Sequence, residues 1–197
     1  MEPNETCLTE AASGQAGYFT TAQARSCGYS WALLSHHAAT GRFVRARRGL
    51  YRLRDYPSSP YEEVMAAWLA AGPGAVVSHE SALDLLGVGD TIPDHIHITV
   101  PRSRRGSRLP RGVAVHTSEE ALTTQDTVVR SGMRVTGPVR TIIDVTRAGL
   151  GPDHVSKAIR QAIDRGIATQ DELRMAANLQ GGRVWRVVRD AFADTSK

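Results

Sequence analysis

Apolar positions fall into two regimes along the chain: short bursts broken by glycine before residue 55, and long helical stripes after Pro138. In the first regime, Thr20 and Thr21 offer capping hydroxyls to a helix through Ala22 to Cys27. Gly28 breaks that helix, and Ser30 caps a second from Trp31 to about Thr40. Trp31, Leu34 and Ala38 fall at i, i+3, i+7 and are expected to face inward, leaving Ala32, Ser35, His36 and Ala39 outward. Phe43 to Ala46 and Leu50 to Leu53 then read as strands around a turn at Arg47, Arg48 and Gly49. Two helices joined through a glycine turn and followed by a hairpin give the order of a winged helix-turn-helix.

Pro57, Ser58, Ser59 and Pro60 form a polar break that predicts a domain boundary, with residues 1–57 on one side and 58–197 on the other. Beyond it, Tyr61 to Ala71 reads as a helix capped by Ser59 with Glu62 three residues later. Val76 and Val77 read as a short strand, and Ser78 to Leu86 as a helix ending at Gly87. Ile96, Ile98 and Val100 alternate with His95, His97 and Thr99, the pattern of a half-buried strand, and Val113 to His116 is another strand. From Pro138 the chain turns helical. Val139, Ile142, Ile143 and Thr146 share one face; Val155, Ala158, Ile159, Ala162 and Ile163 make a second stripe. Thr169 and Glu172 form a capping box for a third helix, and Val184, Val187, Val188 and Ala191 face inward on a fourth. The expected fold class is α+β: an N-terminal winged helix-turn-helix, then a mixed α/β domain ending in a helical segment.

Charge sharpens this picture. The net charge is +4 and the pI near 9.4, and all 24 basic residues except Lys157 and Lys197 are arginine, the side chain suited to bidentate phosphate and base-edge contacts. Arg42, Arg45, Arg47, Arg48, Arg52 and Arg54 crowd the hairpin with no acid before Asp55. The expected DNA contacts are Thr21, Ser30, Ser35, His36, Arg42, Arg45, Arg47, Arg48 and Arg52. Most affinity should come from arginines on phosphates, since the outward helix residues are small or neutral. A second basic stretch, Pro101 to Gly112, holds Arg102, Arg104, Arg105, Arg108 and Arg111 and no acid. It reads as an accessory arm for an anion or an acidic partner, or equally as a solvated hairpin loop.

No run approaches the ~20 apolar residues of a membrane span, and Glu2, Glu5 and Glu10 occupy the N-terminus in place of an apolar leader, so a cytoplasmic protein is expected. Cys7 and Cys27 are not in a C-x-x-C arrangement and read as free thiols or small core residues. A restriction-type nuclease would place an acid two residues before a lysine, but Val155 and Thr195 hold those positions. The phosphate-binding loop and kinase motifs are absent too. Ser/His/Asp catalysis has raw material but no G-x-S-x-G to position it. Adjacent His36 and His37 point about 100° apart on a helix and cannot share an ion. His95 and His97 lie on one strand face, with His79 or His116 as conceivable partners, but without cysteines or a paired-carboxylate motif they read as a plain polar face. No metal, cofactor or catalytic residue is expected.

With these segments placed, the chain resembles the AbiEi-type antitoxins of the type IV AbiE toxin-antitoxin systems. The stretches that carry the resemblance are GYFTTAQARSCGYS, GRFVRARRGLYRL, VVSHESALDLLGV, IPDHIHITVP and VTGPVRTIIDVTR, together covering most of residues 17 to 148. The resemblance implies a winged helix that binds inverted repeats in its own promoter, with possible dimerisation on DNA. It also implies a C-terminal domain that counters a nucleotidyltransferase-like toxin. The chain departs from the basic residues expected on the reading helix, carrying His36, His37, Ala38, Ala39 and Thr40 there. Two alternatives stay open: a stand-alone winged-helix regulator, and an antitoxin that inactivates its toxin by a modification such as phosphorylation.

Overall fold

A computed structural model of the chain describes residues 2–106, 109–119 and 122–193. Its first helix, α1 (Glu5–Ser13), is one that the hydrophobic spacing does not announce. Asn4 caps it by accepting from the Cys7 N–H, and Leu8 and Ala12 bury its inner face. After β1 (Tyr18–Thr20), Thr20 and Gln23 close a capping box on α2 (Thr21–Ser26), and the Ser30 hydroxyl accepts from the Leu33 N–H to start α3 (Trp31–Ala39). Strands β2 (Phe43–Arg47) and β3 (Leu50–Leu53) follow as the expected hairpin, with Gly49 at φ +78° in its turn. β3 sits between β1 and β2 in an antiparallel sheet. Helix, strand, two helices and a two-stranded wing make a winged helix-turn-helix.

The cysteine expectation is corrected: Cys7 and Cys27 form a disulfide that ties α1 to the end of α2. Tertiary folding brings together two residues 20 apart in sequence that no local motif links. Closing a loop of that size stabilises by about 3 kcal/mol through the unfolded chain. Reduction, or Cys7→Ser, is therefore expected to lower the urea midpoint of the oxidised protein, and equal midpoints with and without reductant would refute this.

The second region begins with α4 (Glu62–Ala71). Ser59 does not cap it as expected; instead the Glu62 carboxylate reaches back to accept from the Ser59 N–H, and Tyr61 holds the cap position without a side-chain bond. Next come β4 (Val76–Val77), α5 (His79–Leu86) ended by Gly87 in the left-handed region, β5 (Ile96–Pro101), β6 (Val113–Ser118), β7 (Thr127–Arg130) and β8 (Met133–Thr136). The five strands form one mixed sheet in the order β6-β5-β4-β8-β7, with the two-residue β4 at its centre. β5 and β6 run parallel, so the arginine-rich segment between them is a return crossover and not a hairpin loop. β5 itself is covered on both faces, since Ile98, Thr99 and Val100 are all buried. The alternating pattern therefore understates its burial.

Four helices complete the chain: α6 (Pro138–Ala148), α7 (Pro152–Asp164), α8 (Gln170–Gln180) and α9 (Gly182–Ala193). Their stripes meet as predicted, with Ile142, Val155, Ile159, Leu173 and Val188 in one core. The Thr169 and Glu172 capping box is present. A second core holds Met65, Ile98, Val100, Met133 and Val135, and Tyr18 and Leu50 from the winged helix share it. A third, with Phe19, Leu34, Phe43 and Tyr51, belongs to the winged helix alone. Among the described residues, no helix is long and apolar enough to cross a membrane.

Candidate nucleic-acid interface

Helix α3 is anchored by one fully buried residue, Leu34, with Leu33 and Ala38 half-buried against the same core. His37 wedges between Tyr29 and Phe43, and burial first, then the charges of Arg42 and His36, hold its pKa below the usual value. The outer face carries Ala32, Ser35, His36 and Ala39, as the spacing predicts. It also carries Trp31. The expectation that Trp31 faces the core is corrected: it is 60% exposed. The first turn of α3 rotates that ring out, and Tyr29 fills the core from the preceding loop. A single aromatic at a helix start gives too little periodicity for sequence alone to choose its side.

The hairpin arginines divide into two sets. Arg42 forms an ion pair with Glu5 on α1, and that hydrogen bond holds the Glu5 carboxyl below its usual range. Arg54 donates to the Gly41 carbonyl. Arg52 turns inward: it donates to the carbonyls of Tyr56 (2.9 Å) and Pro57 (3.0 Å), pairs with Glu62 at 3.3 Å and lies over the Tyr18 ring. The hairpin, free of acids in sequence, thus acquires Glu5 and Glu62 from distant elements. Arg45, Arg47 and Arg48 are exposed and make no ion pair among the described residues. A register shift between Arg45 and Arg47 sets Arg47 opposite Leu50 at the end of β2, with Arg48 in the turn beyond it. Thr21 is buried, with its backbone N–H donating to Gly49 at the wing turn, and Ser30 is committed as a helix cap. The outward set is therefore Trp31, Ser35, His36, Arg45, Arg47 and Arg48, with Arg42 beside it.

In the crossover, Arg102–Arg104 forms a short 3₁₀ turn. Arg102 pairs with Glu119 at 3.0 Å, and the Arg104 guanidinium packs against Gly72. Arg105 is exposed. Arg111 lines a cleft together with Glu62, Glu63, Asp84 and Asp94, acids that oppose anion binding there. Arg108 lies outside the described residues. The arm the sequence suggests is thus split between ion pairing, packing and open exposure.

Sequence reasoning set aside a histidine group that the fold assembles. His79, His97 and His116 place one ring nitrogen each within 4.8 Å of the others, while His95 is exposed and takes no part. The register could have hinted at it: Thr99 pairs with His116, which puts His116 diagonal to His97 on one face of two parallel strands.

Comparison with known proteins agrees with this architecture. Residues 8–54 match a family profile described as transcriptional regulator, AbiEi antitoxin, and residues 74–190 match the AbiEi antitoxin C-terminal domain. A search of curated proteins returned no match. Among solved structures, the fold is similar to that of the RV2827C protein from Mycobacterium tuberculosis, at 19% identity and a TM-score of 0.56. The alignment covers 97% of this chain and 78% of that one. With its C-terminal profile spanning more than half the sequence and its N-terminal profile falling on the winged helix, the chain belongs to the AbiEi antitoxin family.

Proposed function

We propose that the protein is the antitoxin of a type IV, AbiE-like system that represses its own operon by binding inverted repeats in the promoter and neutralises a nucleotidyltransferase-like toxin. The observation that carries the DNA half is the pairing of an outward α3 face with three exposed wing arginines that make no ion pair among the described residues. In this reading α3 enters the major groove, with Ser35 and His36 reaching base edges and Trp31 packing its ring against apolar groups at the helix start. The wing lies along the backbone and neutralises phosphates. Thr21 and Arg52 act from inside, holding the wing turn and the hairpin base rather than touching DNA. Family membership supports the toxin half, with residues 58–197 proposed as the part that counters the toxin and Arg105 exposed for an acidic partner.

The test is fluorescence anisotropy with a duplex from the chain's own promoter and a random duplex of equal length. Ser35→Ala with His36→Ala is expected to weaken promoter binding by about 1–3 kcal/mol for each base edge no longer read, with little change on the random duplex. Equal weakening on both duplexes would remove α3 as the reading element. Rescue of cells expressing the neighbouring toxin gene tests the second half separately.

A further inference from the structure

Three imidazoles come together at one place in the fold. His79 opens α5 and is buried; His97 sits on β5 and His116 on β6, both half-buried. His97 Nδ1 and His116 Nε2 stand 2.9 Å apart, and the His79 ring stacks on that of His116 with centroids 3.6 Å apart. Burial is the first cause lowering the pKa of all three, that of His79 to about 3, and so favours uncharged rings, with His97 and His116 hydrogen-bonded to each other. Neutral imidazole is the form that ligates transition metals.

Three further observations point to a ligand. Glu80 Oε2 is buried without a hydrogen-bond partner among the described residues and lies 3.4 Å from His97 Nδ1. His79 Nδ1 meets the Ser78 hydroxyl at 3.0 Å, and that hydroxyl in turn accepts from Thr99 at 2.8 Å. In the tautomer whose Nδ1–H donates to this hydroxyl, the ring is held from behind and Nε2 carries the free lone pair, as in metal sites where a ligating histidine donates its other N–H to an outer partner. His79 is also one of three non-glycine residues at positive φ among the described residues, at +52°. Backbone held in that region tends to mark a side chain being aimed.

His79 and His116, with His97 set behind them, form part of one wall of a cleft of about 420 Å³, lined also by Thr99, Arg140, Asp144 and Arg147. Two arginines beside a cation site would repel the ion if bare. Arg140 is instead paired with Asp144 at 2.9 Å and stands 3.9 Å from Asp126, while Arg147 stands 3.9 Å from Asp144 and donates to Gln180.

We propose that His79, His97 and His116 bind a divalent transition-metal ion of the zinc class, with Glu80 as the neighbouring carboxylate and a fourth position open to the cleft. Imidazole donors suit zinc, and three histidines with one open position are a known zinc arrangement. Zn–N bonds of about 2.0–2.1 Å on a tetrahedral ion set donor nitrogens about 3.3 Å apart. To reach that geometry the His97–His116 pair, now at 2.9 Å, opens by a few tenths of an ångström and the His79 ring rotates out of its stack on His116.

The experiment uses the full chain, stripped with chelator and dialysed, then titrated with Zn²⁺ by calorimetry and with Co²⁺ followed by visible absorption. One ion per chain, tetrahedral ligand-field bands with Co²⁺ and a Zn²⁺-dependent rise in Tm are expected. His97→Ala should weaken binding at least about 100-fold and abolish the bands, while His95→Ala leaves both unchanged. Should His97→Ala prove unfolded by circular dichroism, His116→Asn, at a half-exposed site near the sheet edge, takes its place with the same expectation. Absence of Co²⁺ bands in the folded parent chain, or binding that survives in the folded variant, would overturn the assignment.

Discussion

Replacing Arg45, Arg47 and Arg48 together with alanine is expected to lower affinity for promoter and random duplex alike, by about tenfold per arginine. A hydrogen bond to a charged group is worth about 1.5–3 kcal/mol, and about 1.4 kcal/mol is a factor of ten. Among the described residues these three side chains pair with no acid, so the effect should fall on DNA binding and not on the fold. The salt dependence gives the sharper reading, because each phosphate partner removed lowers the slope of log K against log salt by about 0.9 in magnitude. Arg52→Ala should behave differently: it breaks bonds to Tyr56, Pro57 and Glu62 and should shift Tm with little change in slope. A triple variant with an unchanged slope would remove the wing from the interface.

The largest effect on stability is expected from Gly132→Ala, at about 3 kcal/mol or more. Ser131 and Gly132 form the two-residue turn between β7 and β8, both at positive φ as a type I′ turn requires. An alanine there carries the left-handed penalty of about 1–2 kcal/mol. Its Cβ would also collide with the carbonyl oxygen of Gly14, at the end of α1, a backbone atom that cannot rotate aside. Gly112→Ala is the control: φ is +83° but nothing lies within 4 Å, so only the conformational cost, about 1–2 kcal/mol, should appear. Thermal melts of the two variants separate strain from collision. Equal costs would show that the winged helix yields freely at this point, which would favour independent folding of residues 1–57 and 58–197.

The winged helix was legible because its signals are local. Thr20 with Gln23, Ser30, and Gly49 each act through bonds within a few residues, so the chain's own order places α2, α3 and the hairpin. The C-terminal helices were legible for a related reason, since an amphipathic stripe of a dozen residues has one inner face wherever it docks. Elements without either signal were not visible: α1 buries only two residues fully, and β7 with β8 is a four-residue hairpin whose Ser-Gly turn is a weak cue.

Sequence by itself determined the α+β class, the order of the winged helix and the clustering of arginine on its wing. Only the tertiary structure decided which arginines remain free, because the acids that engage Arg42 and Arg52 come from α1 and α4, at separations of 37 and 10 residues. It likewise decided the Cys7–Cys27 bond, the outward turn of Trp31 and the parallel pairing that sets His116 beside His97. Each of these depends on side chains brought together from separate elements, and local propensity carries no information about such partners until the sheets and helices are packed.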